Sequence, residues 1–411
     1  MPSRSFSYKV IFVRYICLLF SIGVLSGNHE YPEVKTEQGV LTGRYRQTWN
    51  GGIFNSFTGI PYAQEITSLL KTSKDQLLPV MFYIHWGGFF SGSGNADFYG
   101  PDILLDKDVV LVTFNYRLGA LGFLSTKDEF LPGNNGLKDQ NLALKWVKKN
   151  IVYFGGSPDK ITVLGQSVGG ASTHYHVLSP LSRDLISRAI AHSGIATAVW
   201  ALAPKGEALT NAKRLAGFLN CPDESDKEMI DCLNKVDAFD IVTQEKKFLV
   251  HNYDPVIRFK PVIEPDIDGA FLTEDPIDII RSSKSAEIPF ITGITTEDGA
   301  LKSAGVCYGD ELFSLFSTKF FPDYKPSESE KKCIDVLSNI WTSFALTGNP
   351  TPTTDSLIKT KWEPAQKDVL SSYFFNGIDD IKITKDMYKE RIDFWKNILI
   401  ASQSSKIKDE F

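Results

Sequence analysis

The sequence predicts an α/β protein: a mostly parallel central sheet with helices on both faces. Three observations predict it. Residues 77–85 (LLPVMFYIH) and 109–116 (VVLVTFNY) are near-continuous apolar runs, as strands buried on both faces should be. Residues 136–154 place Leu137, Leu142, Leu144, Trp146, Val147 and Ile151 at roughly helical spacing, which predicts an amphipathic helix ended by Gly155-Gly156. A third apolar run, Ile161-Thr-Val-Leu164, comes after that helix, so strands alternate with helices along the chain.

The remaining elements fall into place around these. Residues 34–43 alternate about Gly39 and suggest a hairpin, with 57–62 (FTGIPY) as a tight segment after it. Residues 171–178 read as a helix after the third strand, and 186–192 (ISRAIAH) and 288–292 (IPFIT) as further strands, the last ending in the acidic loop Glu297-Asp298-Gly299. Residues 223–228 are polar and read as loop or exposed helix. No internal repeat or low-complexity segment stands out.

A chain of 411 residues that is 43% hydrophobic and 12% aromatic can bury a sizeable core. Its net charge of −5, with no basic stripe, gives no support to nucleic-acid binding. Residues 1–27 have the composition of a secretory leader: Arg4, Lys9 and Arg14 precede an apolar run from Tyr15 to Leu25, with Ser26 and Gly27 near the expected cut. Arg14 interrupts the apolar character, and the stretch after it is far short of the ~20 residues a membrane-spanning helix needs. Residues 28–411 then read as one domain.

Cys17 would leave with the leader. In an oxidising compartment, Cys221 and Cys232 close a short polar loop and are the first choice for a disulfide. Cys307 and Cys333 are either a second pair or two free thiols. No Asn-x-Ser/Thr sequon is present, because Asn349 is followed by Pro350, so glycosylation is not expected. The sequence ends Lys408-Asp409-Glu410-Phe411, one residue from the Lys-Asp-Glu-Leu retention signal. This suggests the lumen of the endoplasmic reticulum, against the alternatives of secretion and of a tail that is merely charged and solvated.

The third strand stops at Gly165-Gln166-Ser167-Val168-Gly169, a match to the G-x-S-x-G nucleophile elbow. Glycines two before and two after the serine let the turn close, and a helix starting there aims its dipole at an oxyanion formed in acyl transfer. A glycine loop, His85-Trp86-Gly87-Gly88-Phe89-Phe90, comes directly after the first strand run and offers backbone N–H groups for such an oxyanion.

With these runs, Phe57-Thr-Gly-Ile-Pro-Tyr-Ala63, Asn115-Tyr-Arg-Leu-Gly-Ala-Leu-Gly-Phe123, Gly133-Asn-Asn-Gly-Leu-Lys-Asp-Gln140, Phe154-Gly-Gly-Ser-Pro158 and Trp341-Thr-Ser-Phe-Ala-Leu-Thr-Gly-Asn-Pro350, the chain resembles the type B carboxylesterase family, which includes cholinesterases and insect esterases. The resemblance implies an α/β-hydrolase fold and hydrolysis of small-molecule carboxylic esters through an acyl-serine intermediate, with no metal or organic cofactor. It implies Ser167 as nucleophile and the amides of Gly87, Gly88 and Val168 as oxyanion hole. It implies Asp298 as the triad acid, where the family more often has Glu, with Glu297 the nearby alternative. Cys221 and Cys232 match a family disulfide loop.

The departures bear on activity. The family's base lies in a Gly-x-x-His segment, which here is Gly305-Val-Cys-Tyr308, so Tyr308 stands at the position of the expected histidine. A phenol with a pKa near ~10 is a poor proton acceptor at neutral pH. Two blocks are also shorter than in the family, one between Ala63 and Leu78 and one between Asp298 and Tyr308. A serine esterase of impaired activity, an inactive esterase-like binding protein and a shortened transcript all fit this pattern. His174 and His176 lie roughly 10–14 Å along the presumed helix from Ser167, too far for proton transfer. His192, at the end of the neighbouring strand, is the better substitute base; His85 borders the glycine loop, and His29 and His251 have no context.

Overall fold

A computed structural model describes residues 15–21, 31–62, 77–251, 255–296, 298, 308–319, 325–366, 369, 371–394 and 397. The chain divides into two compact units, Met1–Tyr324 and Lys325–Phe411. The strands of the first unit, in chain order, are β1 (Tyr15–Ser21), β2 (Glu33–Thr36), β3 (Gly39–Thr42), β4 (Arg44–Gln47), β5 (Ile53–Pro61), β6 (Leu78–Ile84), β7 (Val110–Phe114), β8 (Gly156–Gln166), β9 (Arg188–His192) and β10 (Phe290–Gly293). Strands β2 and β3 form the hairpin expected around Gly39. Among the described residues the others make one eight-stranded sheet in the order β10-β9-β8-β6-β7-β1-β5-β4. The pairs from β7 through β6, β8 and β9 to β10 are parallel, and those involving β1, β4 and β5 are antiparallel.

The parallel half is buried because its strands are apolar throughout. Val80 to Ile84 in β6 and Val110 to Val112 in β7 are all within 1% of complete burial, the state that covering helices on both faces impose. Helix α1 (Gly119–Phe123) leads into α2 (Asn135–Asn150), whose Leu137, Ala143, Leu144 and Val147 are buried in the core. The leucines and the valine each contribute roughly 1.5–3 kcal/mol relative to exposure. Leu142 departs from the expected stripe and is 42% exposed. At about 100° per residue it stands roughly 200° from Leu144, on the far side of the helix. A 3-10 turn, Ile151–Phe154, continues the buried stripe, and Gly155 ends it at φ 78°.

Helix α3 (Val168–Leu178) succeeds β8 directly, and α4 (Glu207–Phe218), α5 (Asp226–Leu233), α6 (Ala238–Gln244) and α7 (Pro276–Arg281) complete the unit. Two quoted motifs are joined here: Arg117 donates to both carboxylate oxygens of Asp139, at 2.8 and 2.9 Å, tying the start of α1 to α2. Cys221 and Cys232 are disulfide-linked across α4 and α5. The polar segment at 223–228 includes Ser225, whose hydroxyl caps α5.

One sequence expectation changes. Residues 57–61 are not a separate tight segment but the second half of β5, paired with β1 so that Pro61 faces Tyr15. Residues 15–21, inside the stretch with leader composition, form β1 between β5 and β7. An apolar run without polar alternation suits an interior strand as well as a leader.

In the second unit, α8 (Glu328–Thr347) begins with a capping box between Ser327 and Glu330 and ends on Gly348 at φ 82°. Strands β11 (Ser371–Phe375) and β12 (Ile381–Lys385) form an antiparallel pair. The Trp362 ring stacks on Tyr373 at 4.7 Å and meets Trp341 edge-on at 6.2 Å. Cys333 is a half-buried thiol, and Cys307 lies outside the described residues.

Candidate active site

Ser167 sits between β8 and α3 at φ 59° and ψ −124°, a conformation rare for any residue with a side chain. The turn holds because its neighbours press in from three sides. The Ser167 amide donates to the His192 carbonyl at 2.9 Å, and a Cβ on Gly169 would lie 2.2 Å from the Ile84 carbonyl oxygen. A Cβ on Gly194 would lie 2.0 Å from the carbonyl oxygen of Ser167 itself. The glycines therefore let β6, β8 and β9 bring their carboxyl ends together around the serine. That is where open α/β sheets bind ligands.

The glycine loop leaves β6 beside this turn. Gly87 and Gly88 have φ of 128° and 62°, and a Cβ on Gly87 would lie 2.0 Å from the Ser91 carbonyl oxygen. The Ser91 amide closes the loop by donating to the Gly87 carbonyl at 2.9 Å. His85 is buried beneath it, stacked on Tyr116 at 4.4 Å, and burial lowers its pKa to about 4. Val168, the first residue of α3, is fully buried with its amide at the helix N-terminus.

Tyr308 and Asp298 come together beside Ser193. Desolvation pushes the Tyr308 pKa up to about 12, with the neighbouring side chains of Ser167 and Gln166 acting in the opposite sense. The Tyr308 hydroxyl donates to the Ser193 carbonyl at 3.5 Å. Asp298 accepts from the Ser193 hydroxyl at 2.7 Å, the Thr295 hydroxyl at 2.9 Å and the Thr295 amide at 3.2 Å, all on one oxygen. Its charge acts on Tyr308. Ser167, Tyr308 and Asp298 thus share one site; Glu297 lies outside the described residues.

The other histidines are packing residues or stand apart. His176 is fully buried, bonded to Ser182 at 2.7 Å and to Gln140 at 3.1 Å, and His174 accepts the Ala196 amide at 3.2 Å while stacking on Phe290. His192 is buried, which lowers its pKa to about 4, and its Nδ1 lies 3.7 Å from Glu311 Oε1. His29 lies outside the described residues, and His251 is exposed.

Three functional neighbours escape sequence reasoning: Gln166, Ser193 and Glu311. Burial raises the Glu311 pKa to about 7, with the charges of Asp298 and Asp310 adding to the effect. Among the described residues neither of its carboxylate oxygens has a hydrogen-bond partner. Its place three residues after Tyr308 is the available signal. Among the described residues, no group of His, Cys, Asp or Glu could hold a metal ion, and no helix is long and apolar enough to cross a membrane.

Comparison with known proteins bears on the family and the fold. The carboxylesterase family model matches residues 66–304 and 300–395, the two segments meeting between Asp298 and Tyr308. The chain is 37% identical to a carboxylic ester hydrolase of Bombus ignitus over 342 residues, covering 69% of this chain and 60% of that protein. It is 40% identical to a juvenile hormone esterase of Tribolium castaneum over 255 residues, covering 61% and 43% respectively. The chain thus spans about half the length of the curated relatives it matches. Its fold matches the crystal structure of juvenile hormone esterase from Manduca sexta, with OTFP covalently attached, at a TM-score of 0.77 and 22% identity, covering 90% of this chain and 100% of that one. That match identifies the architecture as the α/β-hydrolase fold.

Proposed function

Since the chain belongs to the carboxylesterase family, we propose that it hydrolyses small-molecule carboxylic esters through an acyl-serine intermediate on Ser167. The observation that carries this reading is the left-handed backbone of Ser167 at the carboxyl end of the sheet, with the Gly87-Gly88 loop leaving the adjacent strand. Ser167 Oγ attacks the ester carbonyl carbon, the carbonyl electrons move onto its oxygen, and the amides of Gly87, Gly88 and Val168 donate to that oxyanion. The alkoxide leaves with a proton, and water then releases the acid from the serine.

The weak step is removal of the serine proton. A phenol whose pKa is pushed up to about 12 keeps its own proton at neutral pH, so Tyr308 does not replace an imidazole base. A site with its oxyanion hole and nucleophile in place but no competent base retains on the order of 10³–10⁴ over the uncatalysed rate. We therefore assign this chain a slow esterase activity. Asp298, fixed by Ser193 and Thr295, is the acid that would orient a base at position 308.

The leader composition of residues 1–27 and the disulfide Cys221–Cys232 support a place in the secretory pathway.

The test is turnover of 4-nitrophenyl butyrate together with labelling by a fluorophosphonate probe, in the native chain and in Ser167→Ala. Slow turnover and labelling that both vanish with Ser167 support the reading. Labelling or turnover that survives Ser167→Ala sinks it, and complete inertness of the native chain leaves the inactive binding protein in its place.

A further inference from the structure

Arg258 is 9% exposed, yet its guanidinium has no hydrogen-bond or ion-pair partner among the described residues, and its Nε is wholly buried without an acceptor. Its neighbours only partly account for its charge. The guanidinium carbon lies 5.0 Å from the centre of the Phe90 ring, in a cation–π contact. Glu245 feels its charge, but that carboxylate accepts the Ala120 amide at 2.8 Å and stands outside ion-pair distance of Arg258. Among the described residues no carboxylate stands at ion-pair distance from this nearly buried cation, and the planar guanidinium fork is shaped for one.

Phe90 places Arg258 beside the glycine loop. A Cβ on Gly88 would lie 2.5 Å from the Phe90 ring, so the ring stands against Gly88 on one side and Arg258 on another. The ring is 37% exposed, so solvent reaches the loop at this point. Arg258 is thus one aromatic ring's width from the oxyanion loop.

We propose that Arg258 is an anion subsite of the ester pocket, and that it binds the free carboxylate of a dicarboxylic acid half-ester. The inference rests on Ser167 marking the ester site. A short dicarboxylic acid would span the Phe90 ring, with its free carboxylate on the guanidinium and its ester carbonyl toward Gly88. Arg258 then sets which ester is preferred and takes no part in bond breaking.

Calorimetric titration of full-length Ser167→Ala protein, which cannot turn the ester over, tests this with monophenyl succinate and neutral phenyl butyrate as probes. Preference for the anionic ester by tenfold or more is expected. Arg258→Met should bring the ratio of the two affinities near one, with Arg258→Lys intermediate because it keeps the charge and loses the fork. Equal binding of the two esters, binding of neither, or a preference that survives Arg258→Met overturns the proposal. Melting curves of both Arg258 variants identify a misfolded protein, and Arg258→Lys then carries the comparison. Turnover of 4-nitrophenyl butyrate by the native chain reports separately on Ser167, so the two readings fail independently.

Discussion

Tyr308 and Asp298 meet at Ser193: the phenol donates to the Ser193 carbonyl at 3.5 Å, and the carboxylate accepts from the Ser193 hydroxyl at 2.7 Å. A phenol whose pKa is pushed up to about 12 is a poor proton acceptor there. Tyr308→His should raise kcat/KM for 4-nitrophenyl butyrate by about a thousandfold or more, since Asp298 is already held nearby. A variant no faster than the native chain would show that more than one residue is missing from the machinery.

Ser193 holds Asp298 from the end of β9, and the bond is useful only if Asp298 has a base to orient. In the Tyr308→His background, Ser193→Ala should lower kcat about tenfold with little change in KM. In the native background the same substitution should leave the slow rate nearly unaltered. Steady-state kinetics on the four proteins would separate the two cases.

Glu311 makes stability depend on pH. Its folded pKa of about 7 lies above the ordinary 4.5, so the folded protein holds a proton that the unfolded chain has released between those values. Stability is therefore fullest below about 4.5, falls as pH rises through the window, and stays lowered above 7, by on the order of 3 kcal/mol. Glu311→Gln should raise Tm at pH 8 and change it little at pH 4.5. A parallel Tm–pH curve for the two proteins would contradict this.

Gly169 is required by contact with Ile84 and not by its own backbone angle. Gly169→Ala would press a methyl group against a carbonyl oxygen 2.2 Å away, where neither backbone can yield. The expected cost is about 3 kcal/mol, or a Tm lowered by roughly 5 °C or more. Differential scanning fluorimetry of the purified variant is sufficient to check it.

The legible features of the sequence are local. β6, β7, α2 and the elbow each announce themselves within one short stretch of chain, by apolar runs, helical spacing or the glycines flanking Ser167. The partners of Asp298 cannot be read this way, because Ser193 lies 105 residues away and meets it only when β9 and β10 pair. Arg258 and Phe90 are likewise joined only by the fold. Strand β4 escapes detection because all four of its residues are exposed, which leaves no apolar alternation to see.

β1 gives the N-terminus a second meaning. It runs between β5 and β7 and pairs with both, joining the antiparallel strands to the parallel ones. Seven residues within a leader-like segment thus act as the keystone of the sheet, and no molecule can both discard them and retain this topology. A chain trimmed after Gly27 would carry two facing unpaired edges, on β5 and β7, open to any strand that can complete them. Processing would then change how many surfaces the protein offers for self-association, and the trimmed and untrimmed forms would separate in a sedimentation experiment before any assay of ester hydrolysis told them apart.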